Sequence, residues 1–151
     1  MNDRPQIGSL TPHLVCRDAA AAIAFYKTAF GAEEMMRLPD KQGKLMHAAI
    51  TLNGATVMLM DEYLDYGGTS PKQLGGTAVV LHLTVADVDA AFARAIDAGA
   101  TVIMPVGDMF WGDRYGQVED PFGHRWSIAT PRKPMSPDDI RENLRKMEQA
   151  S

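Results

Sequence analysis

The sequence predicts an α+β fold in which a strand–helix–three-strand unit occurs twice. Three observations predict it. Two Ala-rich runs of helical period, Ala19–Phe30 and Val88–Ala98, each open on an aspartate (Asp18, Asp87) and stop at a glycine (Gly31, Gly99). An alternating segment precedes each run, and short segments of strand character follow it. Hairpin-type turns, Asn53-Gly54 and Asp120-Pro121-Phe122-Gly123, fall between the last two strands of each set.

The elements follow in order. Leu10 to Cys16 alternates, with Leu10, Leu14 and Cys16 on one face and Thr11, His13 and Val15 on the other. In the first helix Ile23, Tyr26 and Phe30 share a stripe. Strands are expected at Glu33–Leu38, Leu45–Leu52 and Ala55–Asp61. A polar, Gly-rich stretch, Tyr63 to Gly76, reads as a connecting loop with some mobility. Thr77 to Val85 then alternates, and the second helix is followed by strands at Thr101–Met104, Arg114–Glu119 and Arg125–Thr130. A second long loop, Pro105 to Asp113, carries Phe110 and Trp111. Aligning the punctuation of the two halves places His13 opposite His82. The first unit covers about 8–62 and the second about 77–131, in a single domain spanning 1–151. After Pro131 and Pro134, Ser136-Pro137-Asp138-Asp139 opens a final helix over about 136–149. Its thin apolar stripe, Ile140, Leu144 and Met147, is expected to dock on the body or on a second subunit.

Bulk properties narrow the function classes. The 15 Lys plus Arg against 19 Asp plus Glu leave a net charge of -4, which provides no electrostatic footprint for nucleic acid or an anionic membrane. No apolar run has the length of a membrane span. Met1-Asn2-Asp3-Arg4-Pro5 lacks the apolar core of a signal peptide. A lone cysteine, Cys16, cannot form an intrachain disulfide, which fits a cytoplasmic location. Its place on the apolar face of the first strand predicts a buried, inert thiol.

Four segments carry a family resemblance: "TPHLVCRDAAAAIAFYKTAFGAEE", "VMLMDE", "VVLHLTVADVDAAFARAIDAGATV" and "MFWGDRYGQVEDPFGHRWSIATP". Together they cover most of residues 10 to 132. They resemble the PhnB-like branch of the glyoxalase/bleomycin-resistance/dioxygenase (vicinal oxygen chelate) superfamily, and the last is the most specific. The resemblance implies two βαβββ modules whose curled mixed sheets form a cup for a small molecule. It also implies a homodimer, commonly with cups assembled from modules of both chains. Relatives include metal-dependent isomerases, dioxygenases and lyases, and metal-free proteins that sequester antibiotics. Fold alone does not choose among them.

The metal enzymes place one ligand on the first and last strand of each module. Carried onto this sequence, those positions are Thr11, Met58 or Leu59, Val80 and Ser127. None is a good ligand for a divalent metal, so the usual site is expected to be absent and no cofactor is predicted. Alternation places a different set in the cup. His13, His47, Val80, His82, Thr84, Arg125 and Ser127 face it, together with Tyr115, Gln117 and Glu119. Three histidines at one concavity raise an alternative, a displaced divalent-metal site of His13, His82 and Glu119 or Asp61 serving a lyase, isomerase or dioxygenase step. The plainer reading is that these imidazoles hydrogen-bond a neighbour or a ligand.

Phe110, Trp111 and Tyr115 read either as a cover that stacks on a planar or apolar ligand, or as a loop pinned by its own aromatics or by a dimer contact. Arg125, expected to be buried at the cup wall, needs an anionic partner: Glu119, Asp61 or a ligand group. Asp113 and Arg114 are expected to pair or to fix their loop. Asp61 and Glu62 end a strand, where acids usually face solvent although a pair can supply a general base. His124, beside the second hairpin turn, reads as structural. Met35, Met36, Met58 and Met60 are core or the lining of an adaptable pocket. The leading expectation is a homodimeric binder of a small organic molecule through His13, His47, His82, Phe110, Trp111, Tyr115, Gln117 and Arg125.

Overall fold

The structure is a computed structural model that describes residues 7–151. The N-terminal stretch read above for a signal peptide lies outside them. The strands are β1 (His13–Cys16), β2 (Glu33–Pro39), β3 (Leu45–Leu52), β4 (Ala55–Asp61), β5 (Val80–Thr84), β6 (Thr101–Asp108), β7 (Asp113–Glu119) and β8 (Arg125–Pro131). The helices are α1 (Ala19–Phe30), α2 (Pro71–Leu74), α3 (Val88–Ala98) and α4 (Pro137–Gln149). Two four-stranded mixed sheets result, ordered β1-β4-β3-β2 and β5-β8-β7-β6. In each, the first strand runs parallel to the last and the remaining pairs are antiparallel.

Local chemistry explains the element ends. The side chains of Asp18 and Asp87 accept from Ala21 N and Ala90 N, satisfying donors that a helix start leaves open. Gly31 sits at φ 69, a left-handed conformation glycine adopts without steric cost. Asn53 and Gly54, at φ 50 and φ 80, form the tight turn that the Asn-Gly pair predicts. Ser136 caps α4 in a reciprocal box with Asp139.

Each helix covers one face of its own sheet. Leu14, Cys16, Ile50, Val57 and Leu59 pack beneath α1, while Leu83, Val118, Trp126 and Ile128 pack beneath α3. The repeat extends to its fastenings. The Asp61 carboxylate at the end of β4 accepts from Ala19 N at 2.8 Å, and the Thr130 hydroxyl near the end of β8 accepts from Val88 N at 2.8 Å. Each module's hairpin also reaches a backbone carbonyl of the other module's first strand. Asn53 Nδ2 donates to Thr84 O, and His124 Nε2 lies 2.9 Å from Val15 O. That contact gives His124 the structural place expected of it.

The modules meet through α1 and α3. Tyr26 and Phe30 of α1 lie against Trp126, with ring centroids 5.4 and 4.9 Å apart. At the centre of this junction is Asp120, which is buried. It accepts from Tyr26 Oη at 2.5 Å, Trp126 Nε1 at 2.9 Å, and the backbone N–H groups of Phe122 and His124. One carboxylate thus closes the turn after β7 and ties the two modules together. Burial and the Asp120 charge push the Tyr26 phenol well above its ordinary range.

Several boundaries differ from expectation. β1 begins only at His13, and Leu10 is 92% exposed rather than on the core face. β5 begins at Val80, leaving Val79 exposed ahead of it. β6 runs on through Pro105 to Asp108, so the second loop shrinks to residues 109–112. Proline is tolerated there because β6 is an edge strand, with register shifts on either side of Met104. The stretch between the modules is not plain loop. It holds a 3-10 turn at Leu64–Tyr66, a Tyr63–Gly68 bridge and α2, with Ser70 and Pro71 buried.

Candidate ligand-binding site

Strand register decides which residues line the open faces, those opposite the helices. His13 pairs with Met58 and His82 with Ser127, each across a parallel ladder. Directly paired residues share a face. Met58 is therefore on the open face, while Leu59 is buried beneath α1. On the second sheet, Gln117 pairs with Ser127, Tyr115 with Ala129, and Glu119 with Arg125. The facing expected for Val80, His82, Thr84, Tyr115, Gln117, Glu119, Arg125 and Ser127 follows from these pairs.

The histidines form two groups, not one. His13 and His47 meet edge to face at 5.7 Å on the first sheet. Partial burial, and secondly the neighbouring His47, hold the His13 imidazole below its ordinary value of 6.5. Folding disfavours the charged ring, so this contribution to stability is present above the ordinary value. It is lost as the pH falls through the lowered one. An NMR titration should place His13 below 6.5, and His47→Gln should move it part of the way back.

His82 belongs to the second group. Its Nδ1 lies 2.7 Å from Ser127 Oγ, and its ring stacks on Tyr115 at 6.1 Å and 20°. Tyr115 in turn meets Trp111 edge to face at 5.3 Å, and Trp111 meets Phe110 at 5.0 Å. Gln117 Nε2 donates to Tyr115 Oη at 2.8 Å and fixes that ring's tilt. The result is a connected wall from Phe110 through Trp111 and Tyr115 to His82. Ser127 is buried, so it serves as the partner that orients His82, and among the described residues Nε2 is the unengaged ring nitrogen.

The positions that hold metal in the superfamily's enzymes do not suit one here. Thr11 bonds Gly8 O ahead of β1, Val80 has no donor atom, Met58 offers only a thioether, and Ser127 is engaged by His82. The displaced set is not assembled within the chain either. Among the described residues no three His, Cys, Asp or Glu side chains converge as a metal site, so His13, His82 and Glu119 stay apart. Asp61 is directed to the helix-covered face, where it accepts from Ala19 N and Leu45 N.

Other expectations are corrected by the geometry. The Arg125 side chain is 42% exposed rather than buried, and Glu119 is its partner at 3.4 Å. Arg114 pairs with Asp89 at 2.8 Å and with Asp108 at 3.2 Å, not with Asp113. Glu62 is not simply solvated, since it accepts from Ser70 Oγ and pairs with Arg17. Cys16 is fully buried and its thiol is pushed up by desolvation, then by nearby carboxylates, so it is inert as expected. The sequence reading missed the junction role of Asp120 and the helix-capping role of Asp61. An aspartate opening a tight turn was the visible signal for the first.

Two open-faced βαβββ modules, each carrying its chemistry opposite the helix, define a protein of vicinal-oxygen-chelate type. The chain belongs to the Glyoxalase/Bleomycin resistance protein/Dioxygenase superfamily, whose family model matches residues 6–128. It is 55% identical over 135 residues to the uncharacterized protein Rv0887c of Mycobacterium tuberculosis, covering 87% of this chain and 79% of that one. TioX from Micromonospora sp. ML1 is 30% identical with a TM-score of 0.65, covering 82% of this chain and 99% of that one. The PhnB protein from Bacillus cereus has the same fold at 23% identity, TM-score 0.65 and the same coverage. No helix among the described residues is long and apolar enough to cross a membrane.

Proposed function

We propose that this chain binds a small planar organic molecule without a metal, on the wall formed by Phe110, Trp111, Tyr115 and His82. The observation that carries the reading is the ring array itself, with Ser127 and Gln117 holding its inner members in place. Such a wall offers aromatic faces for stacking and a single oriented ring nitrogen for one hydrogen bond. Arg125, loosely held by Glu119, adds a cation at the far end of the same face for a carboxylate or phosphate on the ligand. Drug sequestration and transport of a metabolite both fit this chemistry.

A homodimer belongs to the proposal. Leu38, Val80, Val102, Ile103 and Met104 are exposed on the outer strands β2, β5 and β6. An apolar surface of this kind, with edge strands beside it, calls for a partner. The enzyme alternative, a lyase, isomerase or dioxygenase, would require a second chain to bring His13, His82 and Glu119 together.

Tryptophan fluorescence tests the binding reading. Of a panel of planar aromatic compounds, at least one should quench saturably. Trp111→Ala should weaken that binding by about tenfold or more, the scale of one lost stacking contact of about 1–1.5 kcal/mol. Equal affinity in wild type and Trp111→Ala would remove the wall from the site.

A further inference from the structure

The segment after β8 lies outside the family match yet holds the aromatic loop from behind. Four observations converge on it. Asn143, in the middle of α4, donates from Nδ2 to Phe110 O at 3.1 Å. The backbone N–H groups of Arg132 and Lys133 both donate to Gly112 O, at 3.1 and 3.0 Å. Met135 is half-buried and lies close to Gly112, and its sulfur is also within 3.7 Å of Asn143 Nδ2. Ile140 and Leu144 are half-buried while Met147 at the far end is exposed, so the covered part of the helix is its middle.

We infer that α4 is a strap that sets the position of the Phe110–Trp111 loop, with Asn143 as its positioning residue. The loop spans only residues 109–112, and its own bonds are Met109 N to Asp113 O and Gly112 N to Met109 O. Those bonds close the turn, and the Trp111 ring rests on Tyr115. The hydrogen bonds that tie its backbone to another segment come from Asn143 and from the backbone of residues 132 and 133. The hydrogen bonds from this segment to the loop end on carbonyl oxygens, not on the rings. This inference rests on the reading of the loop as a ligand cover only for its consequence on affinity. The positioning itself stands independently.

The test uses the full chain labelled with 5-fluorotryptophan, whose two resonances, Trp111 and Trp126, are assigned with Trp111→Phe. Asn143→Ala removes the donor, and Asn143→Asp replaces it with an acceptor at nearly constant size. Both should shift and broaden the Trp111 resonance and leave Trp126 in place. An unmoved Trp111 resonance in both variants overturns the strap. So does equal movement of both resonances with a fall in Tm, which is general loosening. Affinity for the planar dye 8-anilinonaphthalene-1-sulfonate, counted as the part lost in Trp111→Ala, should drop about fivefold, the scale of one hydrogen bond. A shifted Trp111 with unchanged dye affinity upholds the strap and removes the loop as a ligand cover.

Discussion

Asp120→Ala is expected to destabilise the protein by on the order of 3–5 kcal/mol, the largest loss of any single side chain here. The carboxylate accepts four hydrogen bonds. Two come from side chains with little access to solvent, Tyr26 and Trp126. Truncation strands both donors, and each buried donor left unpaired costs about 1–3 kcal/mol. It also opens the turn that Phe122 N and His124 N close. Asp120→Asn should lose less, because one carbonyl oxygen still accepts. Tyr26→Phe should cost about 1.5–3 kcal/mol, the scale of a hydrogen bond to a charged group, because Asp120 Oδ2 is left with Trp126 Nε1 alone. Denaturant unfolding of the three variants, with the Tyr26→Phe/Asp120→Asn double mutant, measures the coupling. A loss under about 1 kcal/mol for Asp120→Ala would show that its carboxylate does not hold the modules together.

Gly112→Ala is the second large effect. Gly112 has φ +103, where a side chain is strained by about 1–3 kcal/mol before any contact is considered. A Cβ there would stand 2.3 Å from Lys133 O and 3.2 Å from Met135, and a backbone carbonyl cannot rotate away as a side chain can. The loop and the segment leading to α4 must therefore separate. Stability should fall, and Trp111 emission should shift toward that of a solvated indole. A variant with wild-type Tm and unchanged Trp111 emission would contradict the close packing of loop and strap.

The division between what was legible in the sequence and what was not has a physical basis. The three long helices, their N-caps and the Asn53-Gly54 turn were readable because they rest on local contacts among neighbouring residues. The open-face set was readable because successive residues of a strand alternate between faces, which puts His82, Gln117 and Ser127 on one side. Partners distant in sequence were not readable. Asp120 meets Tyr26, and Asp61 meets Ala19, across intervals that no periodicity covers. Pro105 suggested a break, yet an edge strand needs no donor at that position. The three histidines were placed on one kind of face correctly but gathered into one group wrongly. Alternation reports a residue's side of a sheet and says nothing of which sheet's residues lie near it.

The central claim is that the aromatic wall binds its ligand without a metal. The most direct test is equilibrium binding of the best planar compound from the fluorescence panel, before and after exhaustive chelation, with metal content measured by mass spectrometry. A wall that binds without a metal should show affinities equal within about twofold. Metal should lie far below one ion per chain, unchanged in the His13→Ala/His82→Ala double variant. Binding that disappears on chelation and returns with a divalent ion would contradict it.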